Sequence, residues 1–493
     1  MRISAPPERL GLGGSIAAPK LASVVARRIE DDVVAQGWPV GAVLGSETEL
    51  LERFGVSRAV LREAVRIVEH TGVARMRRGP GGGLVVTEPN RGAVVAALGV
   101  WLSYVGATVD ELMAVRQPLL AGAVRLAVSR RDRPALRLLE ARLEEAEGRP
   151  VVTARDLADL EGRVASLGAN PALTLFVEAI GDLALNRVDL GHAVIEPALT
   201  DETARRQLLG YRAVAEAVAR RDASAADEAV QLLSGRARGG LRERSARPGA
   251  QPRPARLAGP GPEGAPAAEA TPDKLAERVA RALRADIEEA GWPVGSVIGS
   301  ETELIDRYGV SRAILREGVR ILEHHGAVRT KRGPRGGLIV TRPDSGAIAR
   351  SARIFLEYEQ VTAAQLIEAR AVLEGAAVRA AAERRTPAAA AALRAALDAE
   401  GRFHDAALRF PAVHRGLADA GGNRVFGLFV DVMMGLVAGH TRPERRSGES
   451  LVALSLEVHR AHRQIVEAVA EGDADLAERR LLRHLRASVD VLD

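Results

Sequence analysis

The sequence predicts a mainly α protein with two winged helix-turn-helix domains, each followed by an all-helical antiparallel bundle. Three observations lead there. Residues 37–87 align without a gap on 291–341, with 36 identities in 51 positions; that period is too long for a solenoid and marks a duplicated set of domains. Within each copy, helix caps and apolar spacing give way to two short β-runs around a Gly-rich hairpin. Further on, apolar residues recur at i, i+3, i+4 with no competing alternation, and aromatics make up only 3% of the chain, which suits small-residue helical packing.

Taken in order, residues 1–20 form a tail without an apolar core, so they do not read as a signal peptide. The first winged domain spans 21–90 and the second 274–344. Each opens with an amphipathic helix (about 21–36 and 274–290) that stops at Gly-Trp-Pro. Ser46 and Ser300, with Glu49 and Glu303 three residues later, spell a capping box for the next helix. Gly55 and Gly309 break that helix, and Ser57 and Ser311 cap the following one, whose Val60, Leu61, Ala64, Ile67 and Val68 make one apolar stripe. "VARM" and "GLVVT" then flank the hairpin "RRGPGGG", completing a helix–helix–turn–helix plus wing.

The bundles span 91–233 and 345–493. Between the copies, 234–273 is dense in Gly, Pro, Ala and Arg and reads as a flexible linker. Its reach, roughly 35 Å for about 40 residues, is comparable with the ~34 Å between half-sites one helical turn apart on DNA. The most apolar run, 92–106, is shorter than the ~20 residues a bilayer span needs, so no membrane span is expected. The chain has no cysteine, which excludes disulfides and thiol catalysis and makes a reducing cytoplasm the expected setting.

Net charge is only +5, but its distribution is uneven: residues 57–78 hold six arginines against two glutamates. Arg58, Arg62 and Arg66 recur at i, i+4, i+8, as do Arg312, Arg316 and Arg320, so each trio shares a helix face. The second helix of a helix-turn-helix enters the major groove, where arginine can donate two bonds to guanine. Ser57 and Ser311 leave backbone N–H groups near a phosphate. The wings add Arg75, Arg77 and Arg78, then Arg329, Lys331, Arg332 and Arg335, with Gly82 and Gly336 allowing close backbone approach. Double-stranded DNA is the expected partner.

The segment "GSETELLERFGVSRAVLREAVRIVEHTGVARMRRGPGGGLVV" and its second copy resemble the GntR family of bacterial transcription regulators, and the bundles resemble the effector domains of its FadR-type subgroup. The resemblance implies DNA contacts at Arg58, Arg62, Arg312 and Arg316, and in the wings. It also implies an arginine within the capping motif; Thr48 and Thr302 stand there instead, so the operator is expected to differ from the family's usual one. Family members bind near-palindromes as homodimers, and a chain with two readers is expected to act as an intramolecular pseudo-dimer, or as a homodimer of such chains.

The same resemblance implies a divalent, zinc-like ion held by one Asp and three His above a pocket for a small carboxylate effector. In the second bundle the histidines fall at His414, His462 and His484, the last two 22 residues apart as in the family. Phe410 occupies the acidic position, leaving Glu400, Asp405 or water as a fourth ligand. In the first bundle the corresponding positions are Glu161, Tyr211 and Leu233, so a metal is expected in the second bundle only. Arg370 is a candidate anchor for the effector carboxylate, with a helix-surface ion pair to Glu374 as the alternative; Arg116 is its counterpart. The expected function is a sequence-specific, effector-responsive regulator, in this family most often a repressor. A constitutive DNA binder with dead pockets is the alternative. An enzyme is not expected: no HExxH occurs, and the only lysines, Lys20, Lys274 and Lys331, offer no Schiff-base candidate in a bundle.

Overall fold

The computed structural model describes residues 21–188, 201–233, 272–401, 410–440 and 448–487, apart from positions 78, 80, 81, 90, 131, 332, 334, 335 and 344. The expected tail and nearly all of the expected linker lie outside the described residues, as do Arg78, Arg332, Arg335 and Asp405. The chain divides into two compact units, one of residues up to Val94 with Arg350–Val361, the other of Val95–Ala349 with Thr362–Asp493.

The first unit is built on α1 (Leu21–Ala35), α2 (Glu47–Phe54) and α3 (Arg58–Thr71), with strands β1 (Val43–Gly45), β2 (Ala74–Arg77) and β3 (Gly83–Val86). The expected caps form: Ser46 and Glu49 make a reciprocal capping box, Ser57 accepts from the Val60 amide, and Gly55 takes a left-handed φ of 62°. Leu61, Ala64, Val65 and Val68 of α3 pack on Val25, Ile29 and Val33 of α1. The sheet has one strand more than expected, because "VLG" adds to give the antiparallel order β1-β3-β2. That third strand fixes a glycine the wing alone did not single out. At Gly83, φ is 151° and a Cβ would lie 2.6 Å from the Gly45 carbonyl oxygen, so the strand crossing admits no side chain there. Trp38 donates its Nε1 hydrogen to Thr87 O at 2.9 Å and ties the end of the sheet to the helices.

This unit also contains the C-terminal part of α14 (Ser345–Tyr358), the helix that leaves the second winged domain. Ile354 enters the core of the first winged domain, and Tyr358 meets Trp38 edge-on with centroids 5.7 Å apart.

The second unit holds the second winged domain: α11 (Pro272–Glu289), α12 (Glu301–Tyr308), α13 (Arg312–His324), and β4 (Val297–Gly299), β5 (Val328–Lys331), β6 (Gly337–Val340) in the order β4-β6-β5. Its caps repeat those of the first. The helix docked on it is α4 (Arg91–Tyr104), which leaves the first winged domain: Val100 is part of its core and Tyr104 stands edge-on to Trp292 at 5.8 Å. Thus α4 and α14, which open the two downstream segments, each seat on the other copy's winged domain.

The same unit contains both bundles. The first comprises α5 (Val109–Arg130), α6 (Arg133–Glu147), α7 (Ala154–Ser166), α8 (Pro171–Val188), α9 (Asp201–Arg220) and α10 (223–233). The second comprises α15 (Ala363–Arg384), α16 (Pro387–Gly401), α17 (Phe410–Ala420), α18 (Arg424–His440), α19 (Gly448–Glu471) and α20 (Ala474–Ala487). They pack face to face around a pseudo-dyad. At Gly122 of α5 a Cβ would come within 2.4 Å of Val372 on α15, so a glycine lets these helices cross closely. Phe176 and Phe429 meet at 4.5 Å. The rim is polar and matched: Asn170 donates to Gln365 O at 2.8 Å, and its counterpart Asn423 to Glu111 O at 2.9 Å. Helix α5 is long and apolar enough to cross a membrane, but it is a core helix, with Arg116 among its buried residues.

Candidate nucleic-acid interface and metal centre

Both recognition helices turn their arginines outward. Ser57, Arg58, Arg62 and Arg66 are exposed, as are Ser311, Arg312, Arg316 and Arg320, while the opposite faces of α3 and α13 fill the cores. The wing residues Arg77 and Lys331 are exposed at the ends of β2 and β5. The Gly82 and Gly336 amides donate to Gly79 O and Gly333 O, each at 2.8 Å, and close the hairpins.

One feature of this surface was not visible in the motif. Arg316 donates to Glu301 at 2.7 Å, with Arg312 3.7 Å from the same carboxylate, and Arg62 lies 3.5 Å from Glu47. The first acidic residue of each capping-box helix is therefore paired with an exposed guanidinium of the helix that follows. The pairs are more than half exposed on the arginine side, so each contributes at most about 1 kcal/mol.

In the second bundle, three helices bring His414 (α17), His462 (α19) and His484 (α20) together. The Nε2 atoms of His414 and His484 each lie 3.2 Å from Nε2 of His462, and one nitrogen from each ring falls within 4.8 Å of the others. Two carboxylates stand behind the rings. His414 Nδ1 lies 2.5 Å from Glu374 Oε2, and His462 Nδ1 lies 2.7 Å from Glu400 Oε1. Glu400 also meets His459 Nδ1 at 3.2 Å. Neither acid faces the cluster centre: each lies at the Nδ1 side of an imidazole, a placement that favours an Nδ1–H and leaves Nε2 towards the centre. Glu400, considered above as a fourth ligand, is thus a partner of the ligands.

With the Nδ1 atoms of His414 and His462 turned to carboxylates, their Nε2 atoms face each other across a buried space, where two ring nitrogens can serve one cation. The spacing suits one, since nitrogens about 2.0–2.1 Å from a tetrahedral zinc are themselves about 3.3 Å apart. Burial, outweighing the Glu400 hydrogen bond, holds the His462 pKa below its ordinary value, and burial with the two neighbouring rings pushes His484 down to about 2. Both are neutral, the state a metal requires. The donor set fits a divalent ion with an affinity for imidazole.

Arg370 is not on the surface. Its ion pair with Glu374, 2.6 Å long, is buried, and its Nη2 lies 3.5 Å from His414 Nε2, so the surface-pair alternative is corrected to a buried one. Burial pushes the Glu374 pKa up, but Arg370 and His414 outweigh it and hold the carboxyl well below its usual range. In the first bundle the equivalent space is closed by the chain itself. Arg116 donates Nε to Glu161 at 2.5 Å and forms a buried salt bridge with it, and Tyr211 OH lies 3.3 Å from the same carboxylate. Glu161 stands where His414 would be and Leu233 where His484 would be, so a guanidinium–carboxylate pair fills the place of the cluster.

Comparison with known proteins finds the same domain types over part of the chain. The model for bacterial regulatory proteins of the gntR family matches residues 21–86 and 275–338, and the FCD domain model matches 365–487. The HTH-type transcriptional repressor NanR of Citrobacter rodentium is 31% identical over 224 residues, covering 43% of this chain and 84% of that protein. The chain belongs to the GntR family. It is a DNA-binding, effector-responsive transcription regulator with two winged-helix readers. A further relative is NanR of Enterobacter sp., 29% identical over 228 residues, 43% of this chain and 84% of that protein. Among solved structures, the Streptococcus agalactiae GntR matches 44% of this chain and 99% of its own, at 20% identity and a TM-score of 0.33.

Proposed function

We propose that this regulator is a repressor that reads a near-palindromic operator with α3 and α13, and releases it when a small carboxylate binds beside a divalent, zinc-like ion in the second bundle alone. The observation that carries the effector half is the pair of facing Nε2 atoms, 3.2 Å apart, with Glu374 and Glu400 at the opposite nitrogens of the two rings. His414, His462 and His484 would hold the ion, which supplies positive charge and an open coordination position when bound. A divalent ion there would add positive charge and favour an anionic effector, with Arg370 beside the cluster as a second cationic group.

On the DNA side, Arg58, Arg62, Arg312 and Arg316 would read base edges. Ser57, Ser311, Arg66, Arg320 and the wing residues Arg77, Arg78, Gly82, Lys331, Arg332 and Gly336 would hold phosphates. Because "SRAVLRE" and "SRAILRE" present the same polar residues, the two half-sites should be nearly identical.

The site has a physical route to one reader. Helix α17, which carries His414, runs into the turn before α18. There Asn423 donates to Glu111 O, and Arg424 donates to the Val105 and Gly106 carbonyls at the end of α4. Tyr104 of α4 is seated on Trp292 of the second winged domain. A shift of α17 on ligand binding thereby moves the seat of that reader, which is how an effector with different affinity for two arrangements changes operator affinity.

Selection of DNA from a random pool tests the first half: two near-identical half-sites are expected, and one half-site, or two unrelated ones, refutes it. Metal analysis of the purified protein, with operator binding measured before and after chelation, tests the second. Binding indifferent to metal and chelator would indicate a constitutive DNA binder.

A further inference from the structure

The two winged domains dock on their helices through the same aromatic seat: Trp38 on Tyr358 at 5.7 Å, and Trp292 on Tyr104 at 5.8 Å. Beside the seat, however, the copies differ in charge at equivalent positions 254 residues apart. Copy one has Glu30 and Asp31 on its first helix where copy two has Arg284 and Ala285. On the docked helices the difference is complementary: α14 carries Arg350 and Arg353 where α4 has Ala96 and Gly99.

We propose that this reversed pair of buried charges, Glu30 against Arg284, is a pairing code that seats each winged domain on the helix leaving the other copy's winged domain, α14 or α4, and rejects its own. In the first seat, Glu30 is 3% exposed, accepts from Thr71, and feels the attraction of both Arg353 and Arg350, while Arg353 donates to Asp31 at 3.2 Å. In the second seat, Arg284 is 8% exposed and its guanidinium occupies the space beside Gly99 of α4: a Cβ there would fall 2.6 Å from Arg284 Nη1.

Each wrong pairing has a specific fault. The second winged domain on α14 would press the buried Arg284 towards the half-buried Arg353 and the exposed Arg350, three cations in one contact, where Gly99 now leaves room. The first winged domain on α4 would bury Glu30 against Ala96 and Gly99 with neither arginine in reach. Like charges and an uncompensated buried charge are both strongly unfavourable. The shared Trp–Tyr seat binds either helix and cannot discriminate, so the repulsive contacts supply the selectivity. The same faults act between chains. Two first copies, or two second copies, joined from different molecules meet one of them, whereas a first copy with a second does not. The code therefore specifies a heterotypic pair, which a tandem chain supplies within itself.

The test transplants the second contact into the first in the full-length protein, independently of any DNA. E30R/D31A alone imitates the second winged domain on α14, and R350A/R353G alone imitates the first on α4; the fourfold variant restores a matched contact of the Arg284–Gly99 type. By hydrogen exchange, each half-transplant should lower amide protection in α1 and α14 by about tenfold or more, and the fourfold variant should recover to within about threefold of the wild type. Should a half-transplant fail to fold, R353K and R353Q serve in its place. R353K should keep the protection, and R353Q should lose it. Additive losses in the fourfold variant, half-transplants that behave as wild type, or equal loss in R353K and R353Q would overturn the proposal.

Discussion

Replacing Glu400 by alanine should weaken metal binding in the second bundle without removing a ligand. Glu400 accepts from His462 Nδ1 at 2.7 Å, and His462 has no exposed surface, so that carboxylate sets which nitrogen of the central ring faces the cluster. Removing the acceptor frees the ring to turn or to change tautomer, and loss of such a partner costs about 10–100-fold in metal affinity. The expected readout follows from mass action. With free zinc set at about 100 times the wild-type Kd, the ion stabilises the folded wild type by ~2.7 kcal/mol. In Glu400→Ala the same zinc concentration is only about 1–10 times Kd, and the gain falls to roughly 0.4–1.4 kcal/mol. At about 2–4 °C per kcal/mol for a domain of this size, the zinc-induced rise in melting temperature shrinks from roughly 5–11 °C to about 1–6 °C. Each variant is compared with its own metal-free form, so the cavity left by the deletion cancels. Melting with and without zinc, and competition against a chromophoric chelator, measure the difference. An equal zinc shift in both proteins, or none in the wild type, refutes the assignment of Glu400 as the partner that orients a metal ligand.

Further expectations concern the readers and their coupling. Glu47→Gln with Glu301→Gln should tighten operator binding by about two- to fivefold at low salt, an advantage that fades as salt rises; unchanged or weaker binding in titrations would show that these acids do not compete with phosphate. His325, buried in the second winged domain, has its pKa pushed down to about 4, first by burial and then by Arg284. The native state thus stays neutral where the unfolded chain takes up a proton. Stability is complete above about 6.5 and falls towards pH 4, by about 3 kcal/mol in full. His325→Thr, the residue copy one carries as Thr71, should flatten that acid limb in denaturant titrations, and an unchanged limb would count against the assignment. Arg424→Ala should leave zinc affinity within about threefold while reducing the effect of metal on operator affinity by about tenfold, of the size of a typical coupling energy; intact coupling would break the route through α4.

Much of the fold could be read from the sequence because the signals are local. Capping boxes, left-handed glycines and helix periodicity act within four residues of one another, so Ser46, Ser57, Gly55 and their second copies land where the rules put them. The histidines were found through the family spacing that places His462 and His484 on successive helices. What escaped was set by tertiary contact. Glu374 and Glu400 reach the histidines from other helices, and nothing in their neighbours announces it; Glu374, four residues from Arg370, reads as a surface ion pair until burial is known. The three residues of β1 are too few for a periodic signal. The exchange of α4 and α14 was invisible for another reason: the aromatic seat is the same in both copies, and the differences beside it, such as Glu30 against Arg284 and Gly99 against Arg353, have no local signal.

The replacement of one site by a salt bridge bears on the shape of the response. A homodimer with two sites can combine their coupling energies and respond steeply. Here the first bundle has Arg116 and Glu161 paired in place of the cluster, so on the proposed reading only the second contributes. Typical coupling of about 1–3 kcal/mol per site then limits the whole chain to roughly a 5–150-fold change in operator affinity. The dose–response should have a Hill coefficient of one, spreading from 10% to 90% over about 81-fold in ligand, since a single site has nothing to cooperate with. Calorimetry with zinc should give one ion per chain, and operator release should titrate with that shallow slope. Two ions per chain would show that the first bundle still binds metal despite its internal pair. A slope well above one with a single ion per chain would require coupling between chains, and the single-site account would then fail on its own arithmetic.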